Sequence, residues 1–98
     1  MKTADVQRLL IRKFGFSEAP TRSDDHIWYE LHIPGLPVIA TKVSHGEREI
    51  HAKLEGKMAR QLRVHAPFFR RMIECTRSRE EYIQQIEGDP YPPFDIGF

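Results

Sequence analysis

Three side chains of this 98-residue chain could carry acid–base chemistry on a phosphate ester, namely His26, Lys42 and His45. A neutral imidazole near pH 7 can accept a proton from a ribose 2′-OH, so His26 is the candidate general base. Lys42 and His45 would hold the phosphate or act as the acid. This route needs no metal or other cofactor, because the 2′-OH is the internal nucleophile. The alternative is that both histidines are simply exposed at strand ends.

A predicted β-hairpin brings these side chains together. Residues 26–33 alternate between polar and apolar types, which is typical of a half-buried strand. A Pro-Gly turn follows, and the β-branched residues of 37–44 predict a second, antiparallel strand. Early residues of one strand then lie beside late residues of the other. We therefore expect His26 within range of Lys42, of Ser44 and of the histidine that follows.

The polar face of the first strand carries Trp28 beside His26, together with Glu30 and His32. We expect this face to be open to solvent or to a partner. An exposed tryptophan next to cations can stack a nucleobase, which makes Trp28 a candidate nucleic-acid-binding residue. The alternative is that Trp28 covers the sheet at an oligomer contact, so a homodimer is a further hypothesis.

Other chemistries lack sequence motifs in this chain. There is no HExxH, no cysteine pair and no Gly-rich phosphate loop, so neither a metal site nor a nucleotide cofactor is predicted. The single cysteine, Cys75, excludes an intramolecular disulfide. Because it follows the apolar pair Met72-Ile73, we expect it to be a small buried hydrophobe.

Helical patterns flank the hairpin on both sides. An apolar stripe predicts a helix over residues 4–14, with Thr3 as its N-cap and Gly15 just after its end. Pro20 favours an edge strand or a loop over residues 16–22.

Three more helices are predicted after the hairpin. Apolar residues at i+4 spacing predict a helix over 50–62, and Pro67 suits the first turn of the next. Ser78 and Glu81 fit a capping box at the start of the last helix, which Gly88 ends.

This order predicts an α+β fold. A three-stranded antiparallel sheet has helices packed on one face, as α-β-β-β-α plus extra C-terminal helices. Residues 1–88 are interpreted as a single domain. The Pro-rich residues 89–98 have no periodicity and are interpreted as a tail.

The net charge of +1 is unevenly distributed along the chain. Residues 1–41 are neutral, residues 42–77 carry +5 and residues 78–98 carry −4. The small total excludes a histone-type polyanion binder, whereas the basic middle permits a local RNA-binding surface. The alternative is that solvated helix faces are simply charged. Four cations in and just after the helix that follows the hairpin are expected to grip an RNA backbone: Lys53, Lys57, Arg60 and Arg63.

The apolar segments are short. None approaches the roughly 20 residues that a membrane span needs, so no membrane interaction is predicted. The N-terminal residues lack the long apolar stretch of a signal peptide. We therefore expect a cytoplasmic domain.

The pattern of residues 4–64 resembles the HicA toxin family. The first predicted helix ends in Phe14-Gly15-Phe16. An aromatic strand that begins with a histidine follows, and a further helix comes after it. The resemblance implies a fold like the double-stranded-RNA-binding domain and an mRNA interferase activity within a toxin–antitoxin pair. His26 takes the place of the family's catalytic histidine, although Asp24-Asp25 replaces the Gly-Ser pair that precedes it there.

Residues 4–87 are also similar to a longer branch of small prokaryotic proteins. The matching stretches are Thr41 to Gly46, the Leu-rich helix, Phe68-Phe69 and Glu80 to Tyr82. The leading hypothesis is therefore an RNA-interacting HicA-like protein that acts as a metal-independent endoribonuclease and has an antitoxin-like protein partner. The alternative is a non-catalytic RNA- or protein-binding module.

Overall fold

The computed structural model describes residues 1–19, 26–44, 46 and 48–88. Within these ranges the chain forms four helices and one three-stranded antiparallel sheet, in the predicted order. The elements are α1 (Thr3–Arg12), β1 (Ser17–Glu18), β2 (His26–Leu31), β3 (Ile39–Ser44), α2 (Ala52–Gln61), α3 (Ala66–Ile73) and α4 (Arg79–Gly88). The predicted α+β class is confirmed.

The sheet has the strand order β1-β2-β3, with β2 in the centre. The predicted hairpin is confirmed: β2 and β3 pair antiparallel over their full length, from His26 opposite Ser44 to Leu31 opposite Ile39. The short β1 pairs with the end of β2, where Ser17 lies opposite Glu30. The segment that contains Pro20 lies outside the described residues.

One face of the hairpin joins the hydrophobic core. Tyr29 and Leu31 on β2 and Ile39 and Val43 on β3 are all at most 3% exposed. All four helices bury side chains in the same cluster. These helical side chains are Val6, Leu10, Met58, Ala59, Phe69, Met72, Tyr82 and Ile86.

The last helix is an integral part of this core. The Tyr82 ring meets Phe14 edge to face at 5.8 Å, and its hydroxyl donates to the Leu62 carbonyl oxygen at 3.0 Å. Arg79 Nε donates to the Phe14 carbonyl oxygen at 3.3 Å. Burial raises the pKa of the Tyr82 hydroxyl far above its usual value. Residues beyond 64 therefore complete the core to which residues 4–64 also contribute.

The start of α1 differs from the prediction. Thr3 lies inside the first turn and is 4% exposed, and Lys2 is the N-cap without a side-chain cap. The reason is pairing with a distant segment: the Thr3 N–H donates to the Arg48 carbonyl oxygen at 3.0 Å, and the Ile50 N–H donates to Met1 at 2.8 Å. This pairing buries Thr3 rather than leaving it at an exposed cap.

The other helix boundaries follow local residue types. Gly15 follows α1 with φ of 80°, as predicted. The capping box of α4 is confirmed, because the Ser78 N–H donates to Glu81 Oε1 at 2.9 Å and the Glu81 N–H donates to Ser78 Oγ at 3.1 Å. The prediction for Cys75 is wrong. This residue is exposed with φ of 64°, because α3 ends at Ile73 and the chain turns away from the core there.

None of the helices in the described part of the chain is long and apolar enough to span a membrane.

Candidate functional site

A cleft of about 230 Å³ lies between the β2–β3 hairpin and α2. Its walls bring together one imidazole, two ammonium groups, one hydroxyl and one apolar side chain. These lining residues are His26, Lys42, Ser44, Leu54 and Lys57.

The strand register places the first three of these side chains on one face. His26 lies opposite Ser44, and Trp28 lies opposite Lys42. Because side chains two residues apart point to the same side of a strand, His26, Lys42 and Ser44 share the face opposite the core. The structure thus brings His26 close to two of the three side chains expected near it.

The other wall of the cleft comes from α2. A buried hydrogen bond from Thr41 Oγ1 to Gln61 Oε1, 2.8 Å long, holds the end of this helix against β3. Leu54 precedes Gln61 by about two helical turns, so both lie on the same side of α2. Leu54 and Lys57, from the first half of this helix, line the cleft beside the end of β3.

Trp28 does not have the exposed ring that was expected. It is only 7% exposed, and Lys42 Nζ lies 5.3 Å from the centroid of its ring. Lys42 is its direct cross-strand neighbour, and Ala40, also buried, lies diagonally beside it. The buried indole cannot offer an open face to a nucleobase. It instead provides a cation–π contact for a cationic side chain of the cleft.

The four cations expected to grip RNA separate into two groups. Lys53 and Arg60 are exposed on α2, and Lys57 is half-buried at the cleft. Arg63 lies beyond the end of the helix with φ of 65°, and its Nη2 donates to the Val38 carbonyl oxygen at 2.9 Å. Arg63 therefore holds the start of β3, while the other three cations remain along α2.

Some of the predicted site lies outside the described residues. His45, Asp24 and Asp25 fall there, as does the tail at 89–98. Two side chains of the cleft were not among the predicted site residues. Ser44 could have been assigned to the site because it lies two residues after Lys42 on the same strand face. Leu54 belongs to the apolar i+4 spacing of residues 50–62, and periodicity alone cannot separate a cleft position from a core position on that stripe.

Two other clefts have different chemistry. One of about 380 Å³ lies at the hairpin turn and includes His32 but no lysine. His32 is 65% exposed on its side chain, and its Nε2 lies 3.2 Å from Glu30 Oε1. The other cleft, about 420 Å³, lies between α3 and α4 and includes Arg71 and Arg77 but no histidine. Within the described ranges, no three His, Cys, Asp or Glu side chains converge to hold a metal ion.

Comparison of the chain with protein-family models, with curated proteins and with solved structures found no match. A fold of this class can carry many functions, so the fold alone does not decide the activity. The chemical content of the cleft is therefore the basis for a functional proposal.

Proposed function

We propose that this protein is a HicA-like, metal-independent endoribonuclease that acts on RNA in the cytoplasm and binds an antitoxin-like protein. The observation that supports the activity is the convergence of His26, Lys42, Ser44 and Lys57 on one cleft. A phosphodiester of RNA presents an anion next to a ribose hydroxyl. Two ammonium groups complement the anion, and an imidazole can accept the hydroxyl proton.

The proposed step is an internal transesterification. His26 accepts the proton of the 2′-OH as the 2′ oxygen attacks the adjacent phosphorus. The O2′–P bond forms and the P–O5′ bond breaks, which leaves a 2′,3′-cyclic phosphate on one fragment. The departing 5′ oxygen takes a proton from the ammonium group of Lys42 or Lys57 and becomes a 5′-hydroxyl. The other ammonium group and the Ser44 hydroxyl stabilise the charge on the non-bridging oxygens.

The test uses variants of two histidines, one at the start of β2 and one just after its end. Purified wild type, His26→Ala and His32→Ala are incubated with end-labelled RNA in the presence of a chelator. His32 is the matched control because it lies just after the other end of β2, outside the cleft. We expect cleavage by wild type and by His32→Ala. Loss of a general base should slow His26→Ala by about 100- to 10,000-fold.

Three outcomes distinguish the alternatives. Fragments with 2′,3′-cyclic phosphate ends, formed by wild type and not by His26→Ala, support the proposal. RNA binding that weakens steeply with salt but gives no cleavage would replace the enzyme with an RNA-binding module. No RNA binding at low salt, together with co-purification of a protein, would instead indicate a protein-binding module.

A further inference from the structure

We infer that the sugar-phosphate backbone of RNA lies directly against α2, with its closest approach at Gly56, and is held without reading of the bases. This inference rests on the proposed function and deepens it by naming the substrate class, which is RNA of any sequence. Three cations of α2 would contact successive phosphates on either side of the cleft: Lys53, Lys57 and Arg60.

These cations form one line along the helix. At about 100° of rotation per residue, Lys53, Lys57 and Arg60 fall within an arc of about 60°. They are separated along the axis by about 6 Å and then about 4.5 Å. Lys57, which lies three residues after Leu54, lines the cleft together with it. An RNA strand that follows this line of cations would thus place one phosphate in the cleft and the adjacent phosphates beside Lys53 and Arg60.

At Gly56, the surface of α2 next to this line of cations carries no side chain. It lies three residues after Lys53 and four before Arg60, so it adjoins both on the helix surface. A Cβ built at Gly56 meets no atom within 4 Å, and its φ is not positive. Packing and backbone conformation therefore do not require glycine in a helix interior, where alanine is more favourable. A missing side chain does permit the backbone of a ligand to approach closely.

The cleft beside the line favours the backbone over the base. Its volume of about 230 Å³ is small, below the roughly 300 Å³ at which ligand pockets usually begin. Trp28 lies on the same strand face and is buried, so its ring offers no stacking surface there. Phosphate contacts without base contacts give affinity that does not depend on sequence.

The first experiment measures salt dependence of binding. Oligomers of 2′-O-methyl uridine and 2′-O-methyl adenosine, which lack the free 2′-OH and resist this cleavage, are titrated at several salt concentrations. We expect similar dissociation constants for the two oligomers. Each phosphate contact on a single strand contributes about 0.7 to the slope of log affinity against log salt. Lys53→Gln and Arg60→Gln should each lower the magnitude of this slope by that amount, whereas Arg71→Gln on α3 should leave the slope unchanged.

The second experiment adds one methyl group at each of two glycines. Gly56→Ala should raise the thermal midpoint of unfolding and yet weaken binding by about fivefold, a ratio equivalent to about 1 kcal/mol. Gly88→Ala is the matched control, because a Cβ at Gly88 also meets no atom within 4 Å and that residue lies on α4. It should leave RNA affinity unchanged.

The outcomes separate this inference from the proposed function. A strong preference for one oligomer, unchanged slopes in both charge variants, or wild-type affinity in Gly56→Ala would each overturn the inference. Cleavage that depends on His26 would leave the proposed function intact in those cases. If wild type binds neither oligomer and cleaves no RNA, the inference and the proposed function both fail.

Discussion

Lys42 lies directly across the hairpin from Trp28, with its Nζ 5.3 Å from the centroid of the indole ring. A cation held over an aromatic face gains about 0.5–2 kcal/mol, depending on how far it is desolvated. The contact limits where the Lys42 ammonium can lie, and Lys42 lines the cleft with His26. The indole therefore belongs to the site as a support for a cation rather than as a surface for a base.

Trp28→Leu tests this role. Loss of a buried aromatic ring should lower the free energy of unfolding by about 2–4 kcal/mol, because a cavity remains and the cation–π contact is lost. Urea denaturation followed by circular dichroism measures the change. If Trp28 were instead an exposed stacking residue, the variant would keep wild-type stability and lose only RNA affinity. That result would contradict the supporting role.

Lys57 and Lys53 should differ in their effects on RNA cleavage. Lys57 lines the cleft, and Lys53 lies one turn before it on the exposed side of α2. We expect Lys57→Gln to lower kcat, because it removes charge next to the reacting phosphate, and Lys53→Gln to raise KM with little change in kcat. Steady-state cleavage rates over a range of RNA concentrations measure both constants. Equal effects on kcat would argue against a special position of Lys57.

The ion pair between Glu55 and Arg70 should contribute to the docking of α3 on α2. Arg70 Nη2 lies 2.8 Å from Glu55 Oε1, and the Glu55 side chain is only 9% exposed. Arg70→Met should lower the free energy of unfolding by about 1–3 kcal/mol, because a buried carboxylate loses its charged donor. Arg71→Met is the control at an exposed position and should stay within about 0.5 kcal/mol of wild type. Chemical denaturation measures the free energy of unfolding of both variants. Equal values for the two would show that the ion pair does not stabilise the docking of α3 on α2.

Tyr82 should link stability to alkaline pH. Burial raises the pKa of its hydroxyl above the value in the unfolded chain. The folded state then keeps a proton that the unfolded state loses, so this contribution is complete below about pH 10 and is lost as the pH rises beyond that value. Urea unfolding between pH 8 and pH 11 should show a steeper loss of stability in wild type than in Tyr82→Phe. Parallel losses in the two proteins would contradict this linkage.

Local patterns predicted much of this fold. The alternation of residues 26–33 predicted β2, and the turn and β-branched segment after it predicted a hairpin with His26 near the end of the second strand. The structure fixes the register, in which His26 lies opposite Ser44. Ser78 and Glu81 predicted the capped start of α4, because both hydrogen bonds join residues three positions apart. Such features depend on neighbours in the chain or on the geometry of a single strand pair. Residue types and spacing are therefore sufficient to predict them.

Contacts between distant segments caused the differences. Thr3 is buried because the first residues pair with the segment before α2, which spacing within α1 cannot indicate. Alternation assigned Trp28 to the face away from the core but could not indicate that this face would be covered. Cys75 is exposed because α3 already ends at Ile73 and the chain takes a left-handed conformation at Cys75.

The amino-acid sequence by itself predicted the four helices and the hairpin, and it placed His26 at the start of one strand and Lys42 near the end of the next. These depend on periodicity, turn residues and capping, which act over a few residues. Only the tertiary structure decided that Leu54 and Lys57 complete the cleft, because α2 is held to β3 by the bond between Thr41 and Gln61, 20 residues apart. Docking of one element on another depends on side chains from both, and no pattern within either element specifies it.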